Sequence, residues 1–124
     1  MNRLITNLLN VLPPEIAHSL AIKFLKIKPI KVKNIPDDDR LELNFCNIKL
    51  PHPVGLAAGF DKNAEIIKSL FSLGFSFIEV GAVTPYPQTG NRKPRIFRLK
   101  KDYAIINRLG LNNRGMHYVS RKIK

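Results

Sequence analysis

The sequence predicts an α/β fold in which a small helical hairpin precedes a parallel βαβ unit. Three observations carry that reading. Apolar residues recur at helical spacing up to about Lys33, and past Arg40 they alternate with polar ones. Two short, nearly continuous apolar runs then flank a segment of helical period. Runs of that kind mark parallel strands covered by helices. At 124 residues and 44% hydrophobic content, the chain fits one modest domain with a real core.

Leu4, Leu8 and Leu12 lie on one helical face before the break at Pro13 and Pro14. A second helix is predicted from Glu15 to about Ile27, with Pro14 suited to its first turn. Ile16, Leu20 and Phe24 form its apolar stripe, flanked by Ala17 and Ala21, and Lys23 and Lys26 lie off it. Such a hairpin either packs onto the rest of the chain or lies in a lipid interface, with its lysines meeting lipid phosphates. No apolar run approaches the ~20 residues of a membrane-spanning helix. Residues 1–12 lack a cleavable leader's small-residue site and are read as retained. The stretch from Pro29 to Arg40, with Asp37, Asp38 and Asp39, reads as a solvated linker.

Leu41 to Phe45 and Asn47 to Leu50 alternate apolar and polar residues, which predicts a short hairpin. Cys46, the single cysteine, excludes an intramolecular disulfide, and its apolar neighbours Leu43, Phe45 and Ile48 suggest a half-buried structural thiol. Pro53 to Phe60 and Phe75 to Val80 are the strands of the βαβ unit. Ala64, Ile67, Leu70, Phe71 and Leu73 mark the helix between them, ending at Gly74. A turn-rich segment from Thr84 to Pro94 leads into a strand-like Arg95 to Leu99, the segment Ala104 to Asn113, and a basic helix from about Gly115.

Lys and Arg number 21 against 9 Asp and Glu, a net charge of +12. From Arg92 to Lys124 eleven basic residues face one acidic residue, Asp102. That excess raises nucleic acid or an anionic membrane as partner, although no recognition-helix or aromatic-basic motif is present. His18, His52 and His117 make no zinc-ligand spacing with each other or with Cys46, so no metal site is expected.

Ala57 to Asn63 (AAGFDKN) stands where a strand hands over to its helix, the edge at which α/β barrels build active sites. Ala57, Ala58 and Gly59 allow a flat ligand close to the backbone. Asp61 can cap the helix, and Lys62 sets a cation at the mouth. Small residues and a capping Asp at a strand end also have a purely structural explanation.

Pro53 to Asn63 (PVGLAAGFDKN) resembles the first strand of class 2, quinone-dependent dihydroorotate dehydrogenases. Gly74 to Gln88 (GFSFIEVGAVTPYPQ) resembles the second strand and its loop. Gly90 to Leu99 (GNRKPRIFRL) and Ile106 to Asn113 (INRLGLNN) continue the match in order, and Pro14 to His18 (PEIAH) is similar to the family's N-terminal helix. The resemblance implies the N-terminal part of a (β/α)8 TIM barrel preceded by a small helical hairpin. Residues 1–36 would form the membrane and quinone-entrance segment, and residues 37–124 the first part of a flavin-binding barrel. It implies oxidation of dihydroorotate to orotate in pyrimidine biosynthesis, with FMN as cofactor and a membrane quinone as acceptor. Ala58, Gly59, Phe60, Asp61, Lys62 and Ala82 would bind FMN, and Lys62, Asn107, Arg108, Leu109, Gly110 and Leu111 the substrate. Ala82 stands where the family often has Thr, so a hydroxyl contact to FMN is missing there. The resemblance further implies peripheral attachment to the cytoplasmic face of the inner membrane, without nucleic acid.

A complete barrel takes ~250 residues, so the chain alone is expected to lack activity and to leave apolar faces and strand edges open. The catalytic base, a serine in this class, is expected beyond Lys124. Two other readings stay open: the cytosolic class of the same activity, whose base is a cysteine, and a small basic module binding RNA or anionic membrane.

Overall fold

The computed structural model describes residues 10–27 and 38–124. The expected helix carrying Leu4 and Leu8, most of the linker from Pro29, and the boundary after residue 36 lie outside the described residues.

Helix α1 spans Pro14–Ile27. It begins where proline predicts, because Pro14 has no amide to leave unsatisfied. The Pro13 carbonyl accepts the amides of Ile16 and Ala17, both at 3.0 Å. Glu15 in the first turn and Lys26 in the last oppose the helix dipole favourably. The inward face is narrow: Ala17 and Leu25 are buried, with Ile22 half-buried beside them. The stripe picked out by periodicity points the other way, with Ile16, Leu20 and Phe24 exposed at 52%, 44% and 49%.

After a 3-10 turn at Asp39–Leu41, capped by the Asp38 carboxylate on the Arg40 amide, β1 (Leu43–Phe45) and β2 (Ile48–Leu50) pair antiparallel. Cys46 and Asn47 turn the chain with φ of 50° and 63°. Two left-handed residues in a two-residue loop match the right-handed twist of the strands. The expected half-buried thiol is corrected here, since Cys46 is exposed. It occupies the turn itself, and Phe45 and Ile48 beside it are also open, at 63% and 61%.

The predicted order of the βαβ unit is present, but its two strands are reduced to a single parallel bridge. Ser76 N donates to Val54 O, Leu56 N to Phe77 O and Glu79 N to Leu56 O, at 2.9 to 3.0 Å, around a parallel bridge between Leu56 and Ile78. Helix α2 (Ile67–Ser72) connects them and stops at Gly74, whose φ of +99° suits glycine and whose amide returns to Phe71 O. Its buried residues are Ser69 and Leu70, not Phe71, which is 49% exposed. Leu25, Ile66 and Leu70 centre the core, with Ile22, Leu56, Phe60, Leu73, Phe75 and Ile78 packed around them. Val54 and Phe77 are 59% and 41% exposed, so the unit is covered on one side and open on the other.

Strands β3 (Ile96–Leu99) and β4 (Ala104–Asn107) form a second antiparallel hairpin, and α3 (Met116–Ile123) follows Gly115.

Candidate functional site

The chain turns from strand to helix through Gly59, Phe60 and Asp61, and each has a physical reason to be there. Gly59 takes φ +113°, which a side chain rarely adopts, and nothing lies within 4 Å of the position its Cβ would take. Backbone shape therefore dictates glycine, and the space in front of it stays open. Asp61, 2% exposed, accepts the amides of Glu65 and Ile66, both at 2.8 Å. The expected cap is present in altered form: Ile66 sits at the N-cap of α2, and Asp61 closes the turn ahead of it. The Phe60 carbonyl accepts a 2.7 Å hydrogen bond from His18 Nε2 of α1, so that nitrogen carries the proton. The two rings meet edge to face with centroids 5.2 Å apart.

Lys62 follows directly. Burial is the main cause holding its ammonium below the ordinary lysine range, and the nearby Arg95 charge pushes the same way. Among the described residues no carboxylate pairs with it. A half-buried cation without a counter-ion is primed for an anion from outside the chain.

A cavity of about 720 Å³ lies between α1, the Gly59–Asn63 turn and the β3–β4 hairpin. It brings together Gly59, Phe60, Asp61, Lys62, Asn107 and Leu109 from the predicted set, along with His18, Arg98, Asn112 and Arg114. Ala58, Ala82, Arg108, Gly110 and Leu111 are outside its lining. Ala58 donates its amide to the Glu79 carboxylate at 3.4 Å on the neighbouring strand, and Ala82 is exposed beyond a cis Gly81–Ala82 peptide. Arg108 spans Pro94 O and the Phe97 ring, and Leu111 passes its carbonyl to Asn113 Nδ2. Asn112 Oδ1 is buried in the cavity wall without a donor among the described residues. A flat heterocycle with N–H donors and an acidic group suits such a surface: open backbone at Gly59, an orphan acceptor at Asn112 and an unpaired ammonium at Lys62.

Several structural anchors escaped the sequence reading. Arg95, 6% exposed, reaches Glu15 of α1 with Nη2 2.6 Å from Oε1, and that contact is the leading cause of the lowered Glu15 pKa. Arg98 donates to the Asn10 and Leu12 carbonyls. Asn113 takes the amides of Thr84 and Gly115 on its Oδ1. Glu65 gathers Lys26, Arg114 and Tyr118. Burial raises its pKa, but the bonds from Lys26 and Tyr118 outweigh that and leave it lowered. None of these contacts follows a local period, and the only sequence sign was basic residues between strand-like runs.

A family model described as dihydroorotate dehydrogenase matches residues 40–124. The dihydroorotate dehydrogenase (quinone) of Rhodopseudomonas palustris strain HaA2 is 53% identical over 116 residues, which is 94% of this chain and 32% of that protein. The protein of the same name from Bradyrhizobium sp. strain BTAi1 is 51% identical over the same share of each chain. The crystal structure of DHODH in complex with ferulenol from Eimeria tenella superposes with a TM-score of 0.83 at 46% identity, over 89% of this chain and 29% of that one. The chain thus spans about a third of the length of the relatives it matches. Among the described residues no helix is long and apolar enough to cross a membrane.

Proposed function

The chain belongs to the dihydroorotate dehydrogenase family, and from that premise we propose that it provides the N-terminal share of an FMN-dependent dihydroorotate:quinone oxidoreductase. The observation that carries the reading is Lys62, a half-buried ammonium with no carboxylate partner among the described residues, on the wall of a cavity it shares with Asn107. In this reading residues 37–124 begin a (β/α)8 barrel, and residues 1–36 form the quinone entrance at the membrane.

When bound, FMN supplies the acceptor for the hydride leaving dihydroorotate. Ala58 to Lys62 and Ala82 would hold it, the small residues by close backbone approach. Lys62 offers its charge to the carboxylate of dihydroorotate in a charge-assisted hydrogen bond. The Asn107 amide, both donor and acceptor, answers the edge of the substrate ring, and Arg108 to Leu111 complete the loop beside it. No base is assigned within the chain. Asp61 is committed to the Glu65 and Ile66 amides and serves to hold the turn.

The cavity wall supplied by α1 supports a quinone route. Ala17, Ala21 and Ile22 give it an apolar side suited to a hydrophobic ring. The outward stripe of Ile16, Leu20 and Phe24 supports peripheral attachment to the cytoplasmic face of the inner membrane. Nucleic acid is not part of this reading, because four arginines of the basic C-terminal stretch have internal partners: Arg95 binds Glu15, Arg98 the Asn10 and Leu12 carbonyls, Arg108 Pro94 and Phe97, and Arg114 Glu65 and Tyr118.

The direct test replaces the matching third of the Rhodopseudomonas palustris enzyme with this chain and follows orotate formation with FMN and a quinone. The chimera should turn over, and the 124-residue chain alone should not. Within the chimera, Lys62→Ala should cost on the order of 2 kcal/mol in flavin or substrate binding. The exposed Lys68, changed to Ala, should stay within about 0.5 kcal/mol. Equal losses at both positions would remove Lys62 from the site. For the membrane, the chain should co-sediment with anionic vesicles and less with neutral ones. The Leu20→Ser, Phe24→Ser double variant should be released even at low salt, since charge alone contributes only about 1 kcal/mol per basic residue. Retention of the double variant would exclude the α1 stripe as the contact.

A further inference from the structure

The Glu15–Arg95 pair lies between two parts of the proposed site that share no chain segment. Arg95 Nε and Nη2 grip the Glu15 carboxylate of α1, 80 residues away in sequence, at 2.6 to 3.4 Å. Its Nη1 fans over three backbone carbonyls: Thr89 at 2.6 Å, Asn91 at 3.1 Å and Leu109 at 3.5 Å. The backbone of Arg95 belongs to the same knot, because its carbonyl accepts the Arg108 amide at 2.9 Å. Asn91 adds a stitch on each side of Leu109, its amide on Leu109 O at 3.0 Å and its side chain on Arg108 O at 2.8 Å. Packing there leaves no slack: a Cβ on Gly90 would come within 2.2 Å of Leu109 O and 2.8 Å of Arg95 Nη1.

A guanidinium offers five donors in a rigid plane, so the direction of one edge sets the direction of the other. Glu15 holds the edge facing α1, and the opposite edge then meets the Thr89 and Asn91 carbonyls and, at 3.5 Å, the Leu109 carbonyl of the loop from Asn107 to Leu111. Lys93 also reaches Glu15, at 3.3 Å, but its single ammonium makes no contact with that loop.

We propose that Arg95 is a positioning residue which, oriented by Glu15, couples the seating of helix α1 to the order of the Asn107–Leu111 loop. This rests on the reading above, in which that loop contacts dihydroorotate and α1 forms the quinone entrance. Through the pair, a displacement of α1 at the entrance is felt at the substrate loop.

The test is amide hydrogen exchange on the full 124-residue chain, comparing wild type with Glu15→Gln, Glu15→Asp and Arg95→Lys. Glu15→Gln should speed exchange of the Asn91 and Arg108 amides by roughly tenfold. The Leu56 and Ile66 amides, bonded to Phe77 O and the Asp61 carboxylate, should be unchanged. Arg95→Lys should match it, because one ammonium cannot serve a carboxylate and three carbonyls together. Glu15→Asp, the mildest change, should give a smaller effect at the same two amides and keeps the test decisive if the others fold poorly. Uniform acceleration at all four amides would reduce the pair to a general stabiliser and overturn the proposal, as would no change at Asn91 and Arg108. In the active chimera, Glu15→Gln should raise KM for dihydroorotate several-fold with a smaller change in kcat. An inactive wild-type chimera would refute the functional reading alone, since the exchange result decides the coupling without turnover.

Discussion

The βαβ unit from Val54 to Val80 and the loop-rich stretch from Thr84 to Gly115 are held together by opposite means. In the first, Leu56, Ile66, Leu70, Leu73, Phe75 and Ile78 pack with Leu25 and Ile22 of α1, and regular pairing is short. In the second the buried side chains are polar: Arg95 and Asn113 each satisfy several backbone groups, and Thr84 satisfies the Tyr86 carbonyl. Apolar packing is non-directional and loses strength in proportion to the volume removed. A buried polar clamp is directional, and losing one atom strands a particular partner. The scaffold should therefore degrade gradually under mutation, and the loops, where most of the candidate substrate contacts lie, in discrete steps.

That contrast can be broken at its strongest point with Leu70→Ala. Leu70 is 1% exposed at the centre of the core, and the truncation should cost about 3 kcal/mol in urea unfolding. Leu70→Met, nearly equal in volume, should cost under about 1.5 kcal/mol. A similar loss for both would mean the core is as exacting as the loops. The next effect in size sharpens the other side. Asn113→Ala strands the Thr84 and Gly115 amides and should cost about 2 kcal/mol. Asn113→Asp keeps the acceptor but gives up the donor from Nδ2 to Leu111 O and Thr84 Oγ1. It should lose most of that amount despite its nearly identical shape.

The smallest effect concerns Lys62, where the two regions face each other. Its folded pKa lies below the ordinary value, chiefly through burial and then through Arg95. Folding therefore disfavours the charged form. That cost is fully present below the lowered pKa and fades as pH rises through it towards the unfolded value. Lys62→Met should stabilise the ligand-free chain at neutral pH, within about 0.5 kcal/mol because solvent screens a partly exposed charge. It should also remove this residue's share of the stability gain on the alkaline side. Destabilisation by Lys62→Met at neutral pH would show that the ammonium has an internal partner.

The same contrast explains what the sequence disclosed. Helix α1, the first hairpin, the order of the βαβ unit, the strand from Ile96 and α3 were readable because alternation, helical period and punctuation by Pro14 and Gly74 are local signals; the pairing of that strand with Ala104–Asn107 was not. Burial at hairpin positions was not. Alternation around Cys46 implies a covered face, but the β1–β2 hairpin has none over Phe45 and Ile48. The turn at Gly59 to Lys62 was legible as a candidate site from its small residues and its charge. Arg95 and Asn113 were not legible as anchors, since their partners lie 80 and 29 residues away and no spacing rule encodes them.

The long reach of those anchors also bears on how the molecule is made. The ties from α1 to the rest of the fold span large stretches of chain, among them 39 residues from Lys26 to Glu65, 42 from His18 to Phe60, 44 from Leu25 to Ser69, and 80 from Glu15 to Arg95. During synthesis the two β-hairpins can close as soon as they emerge, whereas α1 must wait for its partners. At ~5–20 residues per second, the wait for Arg95 alone is roughly 4 to 16 s. Loop closure of that length comes late and slowly compared with local pairing. Throughout that interval the apolar residues on both sides of α1, Leu25 as well as Leu20 and Phe24, are open to a chaperone or to a nearby lipid surface. The order of translation thus leaves both faces of the helix open until the cavity behind it is closed.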